Sequence, residues 1–330
     1  MQIGRQVLEA FSARLLALDR VAESASPARL MRDGLEGLRA LVPFEAAWWG
    51  ECSGGMDGLA PRNWLSGRIN LSPDFAREWN RIGHQDRFAL ESLRRLDTVV
   101  RSASYDDPVP AVEAFARRHD LFHALAVTRA LPGSGLQQFI SIYRGQAGAP
   151  FVPAEGVLFE QFSAHLMQRW STRVAVSIGG AGAARAGDGH GLLDAAGEFV
   201  YLGARLALLL QEHYPHWDGA QPPADLVEAL RRASGSLKLG ARRVAVDPSG
   251  ELLLLSLAPR RQAPLLPPRE LSVALLYADG RSHKQIARET GLSPATVRTY
   301  LRDAYQRLGV ADKVALGRAL AGRRARSRTA

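Results

Sequence analysis

The 29 residues SHKQIARETGLSPATVRTYLRDAYQRLGV, Ser282 to Val310, leave little choice of fold. Ser282 followed three residues later by Gln285 is a capping box, which opens a helix. Ile286 and Ala287 belong to its inward face, and Gly291 stands where the following turn needs positive φ. Ser293 is a cap for a second helix, with Pro294 at the first helical position, where a missing N–H costs nothing. Val297, Leu301, Ala304, Tyr305 and Leu308 then recur at helical spacing as a buried stripe, and Gly309 stops the helix. The opposite face carries Thr296, Arg298, Thr299, Arg302 and Gln306, residue types that bond phosphates and base edges. Two helices across a glycine turn, the second with a basic outer face, are expected to be a helix-turn-helix that enters the DNA major groove.

Charge supports this expectation. The chain of 330 residues has 42 Lys+Arg and 33 Asp+Glu, a net of +9. Residues 264–330 hold 13 of the basic and 5 of the acidic residues, a net of +8, which leaves 29 against 28 in the first 263. The basic excess therefore belongs to one end, as attraction to phosphate requires. The last nine residues, GRRARSRTA (322–330), are short, polar and basic, and are expected to be disordered.

The stretch from about Leu266 to Leu320 resembles the LuxR-type helix-turn-helix of bacterial transcription regulators. The marks are LPPRE (Leu266 to Glu270), ADGRSHKQIA (Ala278 to Ala287), LSPATVR (Leu292 to Arg298) and RLGV (Arg307 to Val310). Pro267 stands where the family has threonine, and Tyr300 where it commonly has histidine; Arg269 and Glu270 are kept. The resemblance implies an all-α, four-helix domain over 264–321. Its first helix runs from Pro268 to Ala278 before Gly280, its scaffold helix from Ser282 to Thr290, and its recognition helix from Ser293 to Leu308. A last helix, Lys313 to Ala321, supports dimerisation in this family. By position in the motif, Arg298, Thr299 and Arg302 are the candidate base contacts, and Thr296, Lys284 and Arg307 the candidate phosphate contacts.

Composition narrows the rest. No run of 18 apolar residues exists; the nearest, Val200 to Leu210, is too short and contains Arg205. Glu9 and Arg14 interrupt any secretory core at the N-terminus. The lone Cys52 rules out internal disulfides and a cysteine-based zinc site. These features point to a reducing bacterial cytoplasm, with no membrane partner.

Residues 1–177 read as one α+β domain. Val7, Leu8, Phe11, Leu15 and Leu18 mark an amphipathic helix, and Pro27 to Leu41 a second. Phe44 to Cys52 reads as a strand and Gly54 to Gly58 as the turn after it; short helices follow at Pro73 to Ile82 and Val109 to His119. Ala124 to Leu131 and Leu136 to Arg144 form a hairpin across PGSG, and a helix from Pro153 to about Val174 closes the unit. This order resembles a GAF-like sensor fold, and HDLFHALAVTRALPGSGLQQFISIYR with FVPAEGVLFEQFSAHL resembles the ligand-binding half of quorum-sensing LuxR regulators. Trp48, Trp64 and Trp79, with neighbouring Trp49, are candidate pocket-lining residues, and aromatics at this spacing also serve as core. Asp86 is the nearest element to the Asp-Pro pair of acyl-homoserine-lactone receptors, but Arg87 follows it, so that ligand is not expected.

Residues 178–191, containing GGAGAARAGDGHG, have no apolar period and read as a flexible linker. Residues 192–263 read as a smaller unit resembling a trimmed PAS-like module. It comprises a strand pair in LLDAAGEFVYLG, helices at Ala204 to His213 and Ala224 to Ala233, and a closing hairpin, Lys238 to Pro259, turning at Asp-Pro-Ser-Gly.

No enzyme signature accompanies these elements. His119 and His123, four apart, fit one helix face but lack a carboxylate ligand pair or HExxH, so no metal is expected. There is no GxSxG nucleophile motif, no N-terminal receiver pattern and no promoter-melting region. The chain is expected to be a non-enzymatic, sequence-specific DNA-binding regulator without a cofactor. It is expected to work as a homodimer controlled by a ligand or signal, with RNA polymerase a candidate partner. The alternative is a non-sensing adaptor whose first 263 residues bind another protein.

Overall fold

The structure, a computed structural model, describes residues 4–54, 61–131, 133–179, 187–217, 219, 221–257, 266–308, 310, 312–313, 316–317 and 320. The chain forms two compact units, Met1–Ala258 and Pro259–Ala330. Four of the sequence expectations lie wholly or mainly outside the described residues. They are the turn at 54–58, the Gly309 stop, residues 180–186 of the 178–191 linker and the 322–330 tail; the linker's ends are structured, with Ile178 and Gly179 in the helix that begins at Pro153 and His190 and Gly191 in a strand.

The first unit holds two five-stranded antiparallel sheets. Sheet A contains β1 (Ala46–Ser53), β2 (Arg62–Ile69), β3 (Val100–Ala103), β4 (His123–Leu131) and β5 (Leu136–Arg144), in the order β2-β1-β5-β4-β3. Sheet B contains β6 (His190–Leu193), β7 (Phe199–Leu202), β8 (Ser236–Leu239), β9 (Arg242–Ser249) and β10 (Leu252–Leu257), in the order β7-β6-β10-β9-β8. Counted within each sheet, both orders are 2-1-5-4-3.

Helices cover both faces of sheet A. α1 (Arg5–Ser24), α2 (Pro27–Arg39) and α6 (Pro153–Gly179) lie on one. Their core joins Leu30, Leu35 and Leu38 of α2 and Phe159, Phe162 and Leu166 of α6 to Leu125, Ile140 and Ile142 of the sheet. Val7 and Leu8, expected on the inward face of α1, are 40% and 58% exposed; the buried residue of that helix is Leu18. The other face of the sheet carries α3 (Phe75–Ile82), α4 (Arg87–Arg94) and α5 (Pro110–Arg118). Because side chains alternate along a strand, Trp48 points to this second face and Trp49 to the first.

α6 is 27 residues long and serves both sheets. Its second half presents Trp170 and Val174 to Leu192, Val200, Tyr201 and Leu252 of sheet B. The rings of Trp170 and Tyr201 are 6.3 Å apart. The far face of sheet B is closed by α7 (Ala204–His213) and α8 (Ala224–Arg232), through Leu206, Leu210, Leu226 and Leu230.

Several local expectations are corrected. The closing hairpin is three strands, and its turn is Gly250–Glu251 instead of Asp-Pro-Ser-Gly, since Ser249 pairs with Leu252 and Pro248 with Leu253. Proline is tolerated in β9 because β8 pairs only with Arg242 to Ala245, leaving that stretch of β9 without a neighbour on the β8 side. His119 caps the end of α5 and His123 opens β4, so they share no helix face. α4, β2 and β3 were not anticipated.

The second unit contains α9 (Pro268–Ala278), α10 (His283–Thr290) and α11 (Pro294–Leu308). Val273, Ala274, Ile286, Val297, Leu301 and Ala304 fill its centre, together with Leu316 and Leu320. Of the expected last helix, Lys313, Leu316, Gly317 and Leu320 are described, and all four are helical.

Candidate nucleic-acid interface and ligand cavity

The turn between α10 and α11 is built from the side chains that announced it. Ser282 Oγ accepts from the Gln285 N–H at 3.4 Å, and Gln285 Oε1 accepts from the Ser282 N–H at 2.8 Å. Gly291 has φ 68°, the left-handed conformation that glycine adopts without penalty. Ser293 Oγ accepts from the Thr296 N–H at 3.0 Å and opens α11.

Burial then sorts the faces of α11. Val297, Leu301 and Ala304 are buried, and Arg298, Thr299, Arg302 and Gln306 are exposed. The exposed groups rest on their own backbone or neighbours. Arg298 Nε donates to the Pro294 carbonyl at 3.4 Å, Thr299 Oγ1 to the Ala295 carbonyl at 3.2 Å, and Arg302 pairs with Asp303 at 3.3 Å. These are local contacts on a solvent-facing stripe, of little net stability, and exchangeable for a nucleic acid.

The three expected phosphate contacts differ among themselves. Lys284 is exposed on α10. Thr296 is half-buried, with its hydroxyl 2.8 Å from that of Ser293, so it takes part in the cap. Arg307 lies 3.3 Å from Glu270, whose side chain is 9% exposed. That ion pair ties the start of α9 to the end of α11 and joins the LPPRE and RLGV segments, a link no short-range pattern in the sequence reveals. Tyr277 is stacked on His283 at 5.3 Å, and the Lys313 ammonium lies 4.7 Å from the same tyrosine ring.

In the first unit, a cavity of about 120 Å3 lies between sheet A and α3 to α5. Its wall is aromatic. The Trp48 ring meets Phe139 at 4.6 Å, Phe75 at 5.0 Å and Trp79 at 5.1 Å, all edge to face. Asp86 lines it too, with both carboxyl oxygens engaged. Oδ2 accepts from Trp79 Nε1 at 2.9 Å, and Oδ1 caps α4 through the Ala89 N–H at 3.1 Å. Burial pushes the Asp86 carboxyl above the usual range, against the opposing pull of those hydrogen bonds. The Ser92 and Thr128 hydroxyls pair at 2.7 Å. Trp48 Nε1, by contrast, is a buried donor without a partner. Burial raises the Tyr143 hydroxyl strongly and pushes the Cys52 thiol up to about 12, so Cys52 is an inert part of the wall.

Trp48, Trp79 and Asp86 thus meet at one cavity, as expected of a pocket. Trp64 does not join them. It lies on the opposite side of the sheet, its indole N–H donating to Ser53 at 3.1 Å and its ring 5.6 Å from Trp217. A β-bulge is the reason: the β1–β2 register shifts at Glu51/Cys52 and leaves Trp64 unpaired between Asn63 and Leu65, so that it turns to the face that meets sheet B and not to the Trp48 face that alternation would give it. Among the described residues, no group of three His, Cys, Asp or Glu is placed to hold a metal ion, and no helix is long and apolar enough to cross a membrane.

Residues 264–320 match the family model described as bacterial regulatory proteins, luxR family, and that segment is a LuxR-family helix-turn-helix domain. No curated protein sequence matches the chain. Similar solved structures include CepR2 of Burkholderia cenocepacia, an N-acylhomoserine-lactone-dependent LuxR family transcription factor. It is 13% identical over 49% of this chain and 92% of its own, with a TM-score of 0.37. SdiA of Escherichia coli is 11% identical over 94% of this chain and 96% of its own, with a TM-score of 0.39. The GAF domain of a phosphoenolpyruvate-protein phosphotransferase from Coxiella burnetii is 13% identical over 49% and 92%, with a TM-score of 0.35.

Proposed function

We propose that the chain is a sequence-specific transcription regulator that binds DNA as a homodimer and is controlled by a small ligand in its first unit. The observation that carries this reading is the LuxR-family domain at 264–320 with its capped, solvent-facing stripe on α11. In this reading Arg298, Thr299 and Arg302 read base edges and Lys284 holds a phosphate. Arg307 divides its charge between Glu270 and the DNA backbone, and Thr296 serves mainly as part of the cap. The protein works in the cytoplasm, performs no catalysis, and leaves contact with RNA polymerase to surfaces outside the recognition helix.

The aromatic cavity favours a sensing first unit over one that only docks a protein. It is mostly apolar, with one unused donor at Trp48 Nε1, the pattern of a small-molecule site. Its size suits a compact ligand with one hydrogen-bond acceptor. Genome-wide mapping of bound DNA tests the reading. The expected result is a roughly palindromic site with half-sites about 34 Å apart, one helical turn. Binding spread evenly over the genome would overturn it.

A further inference from the structure

A second cavity, of about 540 Å3, opens where sheet A meets sheet B. It is separate in character from the aromatic one, and its deepest polar group is Glu51. This residue of β1 is 1% exposed. Glu51 Oε2 accepts from the Leu202 N–H, at the end of β7, at 3.2 Å. Oε1 is buried with no partner. An acid in this position is costly: burial holds the Glu51 carboxyl well above the usual carboxylate range, against the weaker opposing pull of the Leu202 N–H. Gln138, directly opposite Glu51 across the β1–β5 pairing, is also buried and lines the same cavity. Packing alone would favour two apolar side chains at this position.

The rest of the cavity has a complementary arrangement. Arg32 of α2 and Arg68 of β2 stand on its wall, with Arg32 Nη2 donating to the Arg68 carbonyl at 3.4 Å. The Arg68 guanidinium is close enough to Glu198 to favour that carboxylate's charged form, against burial and Asp194, which push the other way. Met31, Trp49, Trp170 and Val200 give an apolar side. Trp49 lies flat across β2 because Gly67 has no Cβ; any side chain there would overlap the indole. The cavity thus offers an acid at depth, three guanidinium groups on its wall, of which Arg39 is paired with Glu36 and Arg68 faces Glu198, and an apolar side.

We propose that this cavity binds a small zwitterion of the amino-acid class. Its ammonium would sit on Glu51 Oε1 and Gln138, its carboxylate toward Arg32 and Arg68, and its side chain against Trp49 and Trp170. A dicarboxylate would leave Glu51 facing like charge, and a simple amine would leave the arginines unused. Because the same Glu51 carboxyl holds Leu202, an occupant bears directly on the contact between the two sheets. This makes the cavity a second input, independent of the aromatic pocket.

The test is calorimetric titration of the full chain with each of the twenty amino acids. Each binder is then compared with its analogues lacking the amine or the carboxylate. At least one amino acid is expected to give saturable heat, and loss of either charged group should weaken it about tenfold or more. Glu51→Gln keeps an acceptor for Leu202 and should weaken binding to the same extent, with a melting temperature no lower than the parent's. Should that variant fail to fold, Gln138→Leu replaces it with the same expectation. Trp79→Phe, which alters the aromatic pocket and lies outside the second cavity, should leave the affinity unchanged. Three results would overturn the proposal: no heat from any of the twenty, equal affinity in a folded Glu51→Gln protein, or loss of binding in Trp79→Phe alone.

Discussion

Sheets A and B share a strand order of 2-1-5-4-3, yet the helical layer of A leaves an aromatic cavity, whereas that of B is filled by aliphatic side chains except for a hollow of about 220 Å3 lined by Leu193, Val227 and Leu230. Under α3 to α5, sheet A is faced by large rings that meet edge to face and leave space between them. Under α7 and α8, sheet B is faced by Leu206, Leu210, Leu226 and Leu230, which interdigitate with Leu193, Leu202, Val244 and Leu255. Rigid rings fix the separation of sheet and helix but tile poorly, whereas branched aliphatic chains fill the gaps that remain. The strand order therefore does not decide whether such a unit holds a ligand. The helical layer does, and in the proposed reading ligand recognition falls to sheet A and a mechanical role to the α7–α8 face of sheet B.

The largest test of that contrast is packing. Leu210→Ala, in the filled layer, is expected to cost about 2–5 kcal/mol in denaturant titrations. Leu93→Ala, on the wall of the existing cavity, should cost less than half as much, since part of its surroundings is already empty. Equal losses would mean that the two layers are packed alike. Next in size is Arg298→Ala, which should weaken the specific DNA site by about 1–3 kcal/mol and relax its base preference, while leaving ligand-induced thermal shifts of the first unit intact. An equal loss on random DNA would make Arg298 a phosphate contact. Ser282→Ala, which removes half of the capping box, is expected to cost about 0.5–2 kcal/mol of the second unit's stability and nothing of the first's, measured by hydrogen exchange.

The smallest effect concerns Asp86. Its carboxyl is raised in the folded protein, so the neutral form is favoured there. Stability from this group is complete below the ordinary carboxylate pKa and declines as pH rises through the raised value. Asp86→Asn should flatten the decline that begins above the ordinary carboxylate pKa of about 4, followed as melting temperature against pH. An unchanged slope would remove Asp86 from the pocket's energetics.

Legibility in the sequence followed the range of the interactions. The ends of α9, α10 and α11 were legible because Ser282, Gln285, Gly291, Ser293 and Pro294 act on residues within four positions of themselves. α7 was legible for the same reason, as an apolar run ending at Pro215. β2 is hard to read because RNWLSGRI mixes arginine, glycine and serine on an edge strand. Trp48, Trp79 and Asp86 line one cavity while Trp64 lies apart, a separation invisible in the sequence because its side depends on the bulge in the β1–β2 register. Glu51 has no local signal. A single glutamate in FEAAWWGEC is unremarkable until Leu202, 151 positions later, closes over it.

α6 has one more consequence. Twenty-seven helical residues span about 40 Å. Phe159 and Phe162 are built into one sheet, and Trp170 and Val174 into the other. A chain ending at residue 177 would keep this helix but lose Leu192 and Tyr201, exposing a strip of indole and valine to water. Such a fragment is expected to self-associate. The two sheets should therefore melt in a single calorimetric transition, with α6 as the shared spine that neither can give up.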